Sequence, residues 1–227
     1  MNTSIIPEDS KLYTQLYKLA STQKVVIFSG LPGVGKSLYV NCFLSIGQKL
    51  GKKVSTIQWD MVRKAFETPE ILEKYPHGAG IMHNGLRVSA GFWVVDALNN
   101  WLLSHTNEDD VLIIEAPLVG NRFIELVKPT NNIYLENFLK SDKCAVVVPI
   151  PSLEVREKIE TARAKDLNEN AKNWIGAKPS VMLKIWKMLC GIANNLGMEI
   201  NMEGQPPYNP DVYEFVFNKI LLHRNFV

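Results

Sequence analysis

Residues 30–37 read Gly-Leu-Pro-Gly-Val-Gly-Lys-Ser, and they directly follow the apolar run Val-Val-Ile-Phe at 25–28, with Ser29 between. Glycines at these positions let the chain turn tightly, so that successive backbone N–H groups converge on an anion. Helical character resumes at Lys36, and the positive end of that helix dipole points at the same anion. We call residues 30–37 the glycine loop. A strand before it and a helix after it are the context in which this pattern binds nucleotide phosphates; the alternative is a turn that binds nothing.

The pattern assigns nucleotide binding to the loop and to the start of the helix. Lys36 adds a full positive charge toward the β- and γ-phosphates, and the Ser37 hydroxyl is placed to ligate magnesium. ATP and Mg²⁺ are therefore the expected cofactors. The predicted nucleotide-binding residues are Gly30, Pro32, Gly33, Val34, Gly35, Lys36, Ser37 and Leu38.

Short apolar runs alternate with helical patterns along the whole chain. Further strands are predicted at 54–58, 111–114, 144–148 and 198–202. The helices between them are predicted at 10–21, 36–50, 61–75 (broken at Pro69), 82–103, 152–165, 180–196 and 211–224, with two short helices in 121–140. Strands separated by helices form a parallel sheet with both faces covered. The expected fold is α/β, a three-layer P-loop NTPase sandwich with a five-stranded parallel sheet and a small helical lid.

Length and composition indicate one globular domain over residues 1–227, with the lid at about 152–178 and C-terminal helices at about 180–227. The chain is 46% hydrophobic and 21% charged, as expected of a folded domain rather than a disordered one. Its net charge of +2 is too small to indicate a duplex-binding surface, although a local basic groove stays possible. Nucleic acid is thus neither indicated nor excluded as a partner.

The cysteines and the hydrophobic runs bear on the cellular compartment. Cys42, Cys144 and Cys190 are odd in number and too widely spaced for a metal knuckle, which favours core positions in a reducing compartment. The chain begins without a signal-peptide pattern and has no run long enough to span a bilayer. We expect a cytoplasmic protein with no membrane partner.

Asp60 ends the second predicted strand, at the sheet edge that faces the ligand crevice in open parallel sheets. A carboxylate there can accept the proton of an attacking hydroxyl; the alternative role is a helix N-cap before Met61. Arg63 lies on the same side of the next helical turn and either holds an anionic part of the acceptor or is solvated. Trp59 either stacks on the acceptor or belongs to the core. Arg87 could also contact the acceptor, but nothing in the sequence favours it over other candidate residues.

Glu115 ends the apolar run 111–114, where nucleotide-binding enzymes place the acidic residue that holds magnesium directly or through water. Together with Ser37 it forms the predicted metal site. Arg122 follows Gly120 closely and either reaches the acceptor pocket or caps a helix.

Arg156 and Arg163 are seven residues apart on one predicted helix, with Ser152 as its N-cap. They flank an expected apolar stripe of Val155, Ile159 and Ala162. Two guanidinium groups on one edge can clamp a phosphoryl group in transfer. The alternative is a solvated helix face, on which Glu160 pairs with Arg156.

In combination these motifs resemble the P-loop kinases that include polynucleotide 5′-hydroxyl kinases and zeta-type toxins. The resemblance rests on the glycine loop, on Asp-Met-Val-Arg at 60–63, on Arg156 and Arg163, and on the segment 208–213, Tyr-Asn-Pro-Asp-Val-Tyr. It implies that Asp60 is the base, that Arg63 contacts the acceptor, and that the lid arginines clasp the phosphates. The segment 115–122 is instead similar to deoxynucleoside kinases, whose glutamate and arginine have the separation of Glu115 and Arg122.

The predicted function is transfer of the γ-phosphate of ATP to a hydroxyl, with Lys36, Asp60, Arg63, Arg156 and Arg163 as catalytic residues. The predicted acceptor-binding residues are Trp59, Arg63 and Arg122. The acceptor is a small metabolite, nucleotide sugar, nucleoside or polynucleotide 5′-hydroxyl, and a toxin-like kinase is one form of this hypothesis. The alternative is an ATPase that acts as a nucleotide-dependent switch on a partner; the guanine-reading sequence Asn-Lys-x-Asp is absent, which disfavours a GTPase.

Overall fold

A computed structural model of the chain describes residues 6–78, 81–169 and 179–227. Within these ranges the side chains of residues 163, 166–169 and 179 lie outside the description. The described residues form the strands β1 (Val25–Ser29), β2 (Lys53–Gln58), β3 (Asp110–Ala116) and β4 (Cys144–Val147). The helices are α1 (Lys11–Thr22), α2 (Lys36–Lys49), α3 (Trp59–Phe66), α4 (Pro69–Lys74), α5 (Asn84–Ser104), α6 (Ile133–Lys140), α7 (Leu153–Glu169), α8 (Pro179–Asn195) and α9 (Pro210–Ile220).

The strands form one parallel sheet in the order β2-β3-β1-β4, with helices packed on both faces. Successive residues of β1 enter opposite cores because side chains alternate along a strand. Val25 and Ile27 belong to the core that contains α5, α8 and α9, whereas Val26 and Phe28 belong to the core beneath α1 and α2. The predicted α/β class and parallel sheet are therefore confirmed.

The predicted strand at 198–202 is wrong: these residues have no strand partner among the described residues. Met198, Ile200 and Met202 pack against the core at every second position. Apolar residues at alternate positions are also typical of a half-buried strand, which is why the sequence predicted one. Residues 225–227 lie beside β4 instead. The Val146 N–H donates to the Asn225 carbonyl at 2.8 Å, and the Val227 N–H donates to the Val146 carbonyl at 2.9 Å.

The segment 121–140 holds two short helices on either side of Pro129, as predicted, although the first is a 3₁₀ helix (Ile124–Leu126) and the second is α6. One helical prediction needs correction. On α7, Ser152 caps the helix as predicted, since its Oγ accepts from the Val155 N–H at 3.3 Å. The apolar stripe on α7 faces outward, however, with Val155 45% exposed. The predicted lid continues into 170–178, which lies outside the described residues.

The three cysteines are buried, as expected of core positions. In the part of the chain that is described, no helix combines the length and the apolar character needed to cross a bilayer.

Arg224 ties the end of the described chain to α6 and to the loop before it. Its guanidinium makes two 3.1 Å hydrogen bonds to the two carboxylate oxygens of Glu136, and its Nε donates to the Leu126 carbonyl at 3.0 Å. Burial alone would raise the pKa of Glu136, but hydrogen bonds from Arg224, Lys140 and the Thr130 amide outweigh it and lower that pKa to about 2. The pair anchors residues 225–227 along β4.

We expect Glu136→Gln to lower the free energy of unfolding by about 3 kcal/mol, because it leaves Arg224 buried without its carboxylate. The folded-state pKa of Glu136 lies below its ordinary value of 4.5, so this contribution is present above that pH and is lost as the pH falls toward 2. Denaturant unfolding of both proteins from pH 7 to pH 2 measures the effect, and the two curves should converge in acid. Glu154→Gln, which removes a carboxylate from an exposed pair with Lys158, is the control and should change little. A constant gap between the Glu136→Gln and parent curves at every pH would contradict the assignment.

Candidate functional site

The glycine loop joins β1 to α2 through a backbone that only glycine adopts without strain. Gly33 and Gly35 both have φ of 87°, in the left-handed region, and Gly35 is the N-cap of α2. The cap residue has no side chain to bond the helix end. The N–H groups of the first turn of α2 therefore face the loop, which is the arrangement that attracts anions.

Lys36 places its ammonium group inside the turn of this loop. The residue is 7% exposed, and its Nζ donates to the carbonyl oxygens of Gly30 at 2.9 Å and Leu31 at 3.0 Å. Glu115 Oε1 lies 3.9 Å from the same nitrogen. A positive charge is thus fixed at the centre of the glycine loop, as the sequence predicted for this residue.

Glu115 lies on β3 beside Phe28 of β1 and Gln58 of β2, at the sheet edge that carries the glycine loop. Burial raises the pKa of Glu115, the Lys36 ammonium opposes that rise, and the Asp60 carboxylate adds to it. The Ser37 hydroxyl is exposed at the first turn of α2. No group of three His, Cys, Asp or Glu side chains with metal-binding geometry occurs among residues 6–78, 81–169 and 179–227. A cation here would need most of its ligands from a bound phosphate and from water.

Asp60 stands exposed in the first turn of α3, directly after β2. The N-cap of α3 is Gln58, so the alternative role of Asp60 as the cap is not the one observed. Its carboxylate acts electrostatically on Glu115 of β3 and on Arg122 in the loop after β3, the strand next to β2 in the sheet.

Arg63 lies one turn further along α3 and is 38% exposed. Its Nε donates to Glu67 Oε1 at 2.8 Å, and the His77 Nε2 is 2.9 Å from the same oxygen. The side chain is therefore held on the side of α3 that carries Asp60, with part of its guanidinium already bonded.

Arg122 lies at the end of a tight loop that follows β3, and it does not cap a helix. The loop closes on itself through hydrogen bonds between Leu118 and Arg122, with the Leu118 N–H donating at 2.8 Å. Burial and the charges of Arg87 and Arg63, opposed by Asp60, together lower the pKa of Arg122 to about 10. These influences place four charged side chains in one neighbourhood.

Arg87 belongs to this neighbourhood, although no pattern in the sequence distinguished it from other candidate contact residues. Its Nη1 donates to the carbonyl of Gly120 in the loop after β3. Arg87 is the fourth residue of α5, and a cation in the first turn of a helix opposes the helix dipole. That placement is the signal from which the residue could have been identified.

Arg156 reaches the glycine loop from α7. The residue is 3% exposed, and its guanidinium lies 5.5 Å from the centre of the Tyr208 ring. Its Nε donates to Glu160 Oε1 at 2.6 Å and its Nη1 to the Pro32 carbonyl at 3.5 Å. The predicted pairing of Arg156 with Glu160 is present, but Arg156 does not lie on a solvated helix face. The side chain of Arg163 lies outside the description.

Trp59 belongs to the core and is not available for stacking on a ligand. The residue is 6% exposed, and its ring meets that of Phe123 edge to face, with centroids 5.1 Å apart. Of the two roles that the sequence left open, this burial favours the core position over contact with the acceptor. Its packing against Phe123 instead supports the loop that carries Arg122.

Two helices near the end of the chain cover the glycine loop, and sequence reasoning missed both contacts. The buried Tyr213 hydroxyl on α9 accepts from the Leu31 N–H, and burial raises the pKa of Tyr213. A Cβ on Gly30 would lie 2.7 Å from that hydroxyl oxygen, and a Cβ on Gly33 would lie 2.5 Å from the Met182 Cε on α8. The segment 208–213 was noticed only as a resemblance.

Comparison of the chain with protein-family models and with curated proteins found no match.

We expect Gly30→Ala to destabilise the fold more than Gly51→Ala. Both glycines have positive φ, but the new Cβ meets the Tyr213 hydroxyl in the first case and nothing within 4 Å in the second. Overpacking costs about 1–3 kcal/mol, in addition to about 1 kcal/mol for a left-handed non-glycine residue. Thermal and denaturant unfolding measure the losses. In a Tyr213→Phe background, which removes the hydroxyl, the penalty of Gly30→Ala should shrink; an unchanged penalty would contradict the contact.

Proposed function

We propose that this protein is a phosphotransferase of the P-loop type, which uses ATP and Mg²⁺ to phosphorylate a hydroxyl group. The observation that carries the proposal is the Lys36 ammonium inside the glycine loop, 3.9 Å from Glu115, at the end of a buried parallel strand. A glycine turn, a buried lysine and a strand-end acid on the neighbouring strand are the parts that nucleotide triphosphates require.

The residues present suit a magnesium–nucleotide complex. Ser37 offers an exposed hydroxyl at the first turn of α2, and Glu115 offers a carboxylate at the same sheet edge. Magnesium usually takes only one or two protein ligands and completes its shell with phosphate oxygens and water, so this pair is sufficient. When bound, the ion neutralises charge on the β- and γ-phosphate oxygens.

The protein's own groups divide the remaining work. Lys36 attracts the negatively charged phosphates to the turn. The Arg156 guanidinium is bonded to the Pro32 carbonyl. A small rotation away from that carbonyl lets it bind a phosphate in the loop. Asp60 accepts the proton of the acceptor hydroxyl as that oxygen bonds to the γ-phosphorus, and the bond to the β–γ bridging oxygen breaks to release ADP. Arg63, on the same side of α3, orients the acceptor.

Lys36→Ala should abolish phosphoryl transfer and weaken ATP binding, because it removes the ammonium group that lies inside the turn. Lys49→Ala is the control: it lies on the same helix, is 53% exposed and pairs with Glu8 outside the loop. Calorimetric titration with ATP and Mg²⁺, and transfer from labelled ATP to a panel of hydroxyl acceptors, measure the two effects. ATP binding that is equal in the Lys36→Ala and parent proteins would overturn the proposal.

Asp60→Asn should lower the rate of transfer about 10²–10⁴-fold while ATP binding survives, since a general base acts on the acceptor and not on the nucleotide. Asp109→Asn, at the opposite end of the sheet and in an exposed pair with Lys52, is the matched control. Full activity in Asp60→Asn would remove the base assignment and leave nucleotide binding intact. Hydrolysis of ATP without any acceptor, stimulated by a protein partner, would favour the nucleotide-dependent switch instead.

A further inference from the structure

Three arginines gather beside the glycine loop, and we propose that they bind a phosphate group that the acceptor already carries before it is phosphorylated. We call Arg63, Arg87 and Arg122 the arginine cluster. The inference rests on the proposed phosphotransferase function and narrows its acceptor to hydroxyl compounds that bear a phosphate or diphosphate, such as nucleotides and sugar phosphates. Neutral nucleosides and free sugars are then poor substrates.

Two members of the cluster flank one backbone position. A Cβ at Gly120 would lie 3.6 Å from Arg87 Nη1 and 3.9 Å from Arg122 Nε, so the two guanidinium groups stand on the same side of the loop after β3. Arg63 adds to the positive potential felt by Arg122. Guanidinium groups repel one another, and holding them together costs free energy unless an anion lies between them.

The cluster has more donors than its surroundings use. The buried Nε of Arg87 has no hydrogen-bond partner in the described part of the chain, although its Nη1 is bonded to Gly120. The Arg122 guanidinium makes no hydrogen bond or ion pair with any described side chain; only the Asp60 charge opposes its neighbours. A buried polar group without a partner costs about 1–3 kcal/mol. A phosphate, with several oxygens and a double charge, satisfies such donors in the fork geometry that arginine favours.

The loop that presents Arg122 is held in a strained conformation. Leu118, Asn121 and Phe123 have φ of 60°, 57° and 64°, values that non-glycine residues seldom adopt. Asn121 is tied to the start of α5, where its Nδ2 donates to Asn84 Oδ1 at 2.9 Å. Strain of this kind persists where the surroundings enforce it and concentrates at binding sites. The loop and α5 therefore present Arg122 and Arg87 as one fixed unit.

The position of the cluster assigns it to the acceptor and not to ATP. The glycine loop follows β1, the Arg122 loop follows β3, and Asp60 follows β2, in the order β1-β3-β2 across the sheet. Neighbouring strands are about 4.8 Å apart, so these three groups lie side by side along one edge. Lys36 and Arg156 face the glycine loop, whereas Arg122, with Arg87 beside it at Gly120, feels the charges of Arg63 and Asp60. A compound with its hydroxyl at Asp60 places its phosphate at the cluster.

The first experiment measures anion binding without turnover. The glycine loop is saturated with a non-hydrolysable ATP analogue and Mg²⁺, and inorganic phosphate is titrated by calorimetry. The parent protein should bind phosphate, and Arg87→Gln and Arg122→Gln should each weaken that binding at least 10-fold while affinity for the ATP analogue stays within twofold. Lys128→Gln, an exposed cation beyond the same loop, is the control. Arg122→Lys keeps the charge and the fold but not the fork, and it should bind phosphate more weakly than the parent.

The second experiment compares transfer to paired acceptors that differ only in one phosphate. The phosphorylated member should have at least a 10-fold higher kcat/KM in the parent protein, and Arg122→Gln should reduce that preference. Equal transfer to both members, or equal phosphate binding in the parent and the two glutamine variants, would overturn the inference while leaving the phosphotransferase function in place. Tighter binding of acetate than of phosphate would also overturn it. Phosphate binding that needs both arginines, with no transfer to any acceptor, would preserve the anion site and refute the phosphotransferase.

Discussion

A buried ammonium group organises this structure. Lys36 lies at the start of a helix and within a glycine turn, and a charge in that place is stable only when nearby oxygens surround it. The carbonyls of Gly30 and Leu31 and the carboxylate of Glu115 supply those oxygens. Their positions require β1 and β3 to be neighbours in register, so the sheet order and the local turn serve the same electrostatic need.

The sheet then gathers the other charged groups by its order alone. Because β2, β3 and β1 are adjacent and parallel, the segments that leave their carboxyl ends lie next to one another. Asp60, Arg122 and Lys36 come from those three segments, which are far apart in the chain. Lys36 and Arg156 carry the positive charge at the glycine loop, and Arg87 and Arg122 carry it at the loop after β3, so the edge has two electrostatic regions.

Much of this arrangement could be predicted from the sequence, because strand–turn–helix units have local signatures. The glycine loop, the four strands and the positions of Lys36, Asp60 and Glu115 follow from residue spacing. The predictions failed where tertiary packing decides. The alternation at 198–202 reflects burial without strand pairing, Trp59 turns inward to meet Phe123, and α7 buries Arg156 in place of its apolar stripe. The grouping of Arg87 with Arg122 depends on the strained loop, which no pattern indicated.

Helix α8 touches both electrostatic regions through thioether side chains. Met182 lies against Gly33, and the sulfur of Met188 is 3.6 Å from the Cβ position of Gly120. The two residues are six apart, about 9 Å along a helix that moves as a rod. Under the proposed function each region holds a ligand, and a ligand that displaced α8 at one region would change the packing of α8 at the other. Such linkage is reciprocal: whatever the first ligand does to the affinity for the second, the second does equally to the first.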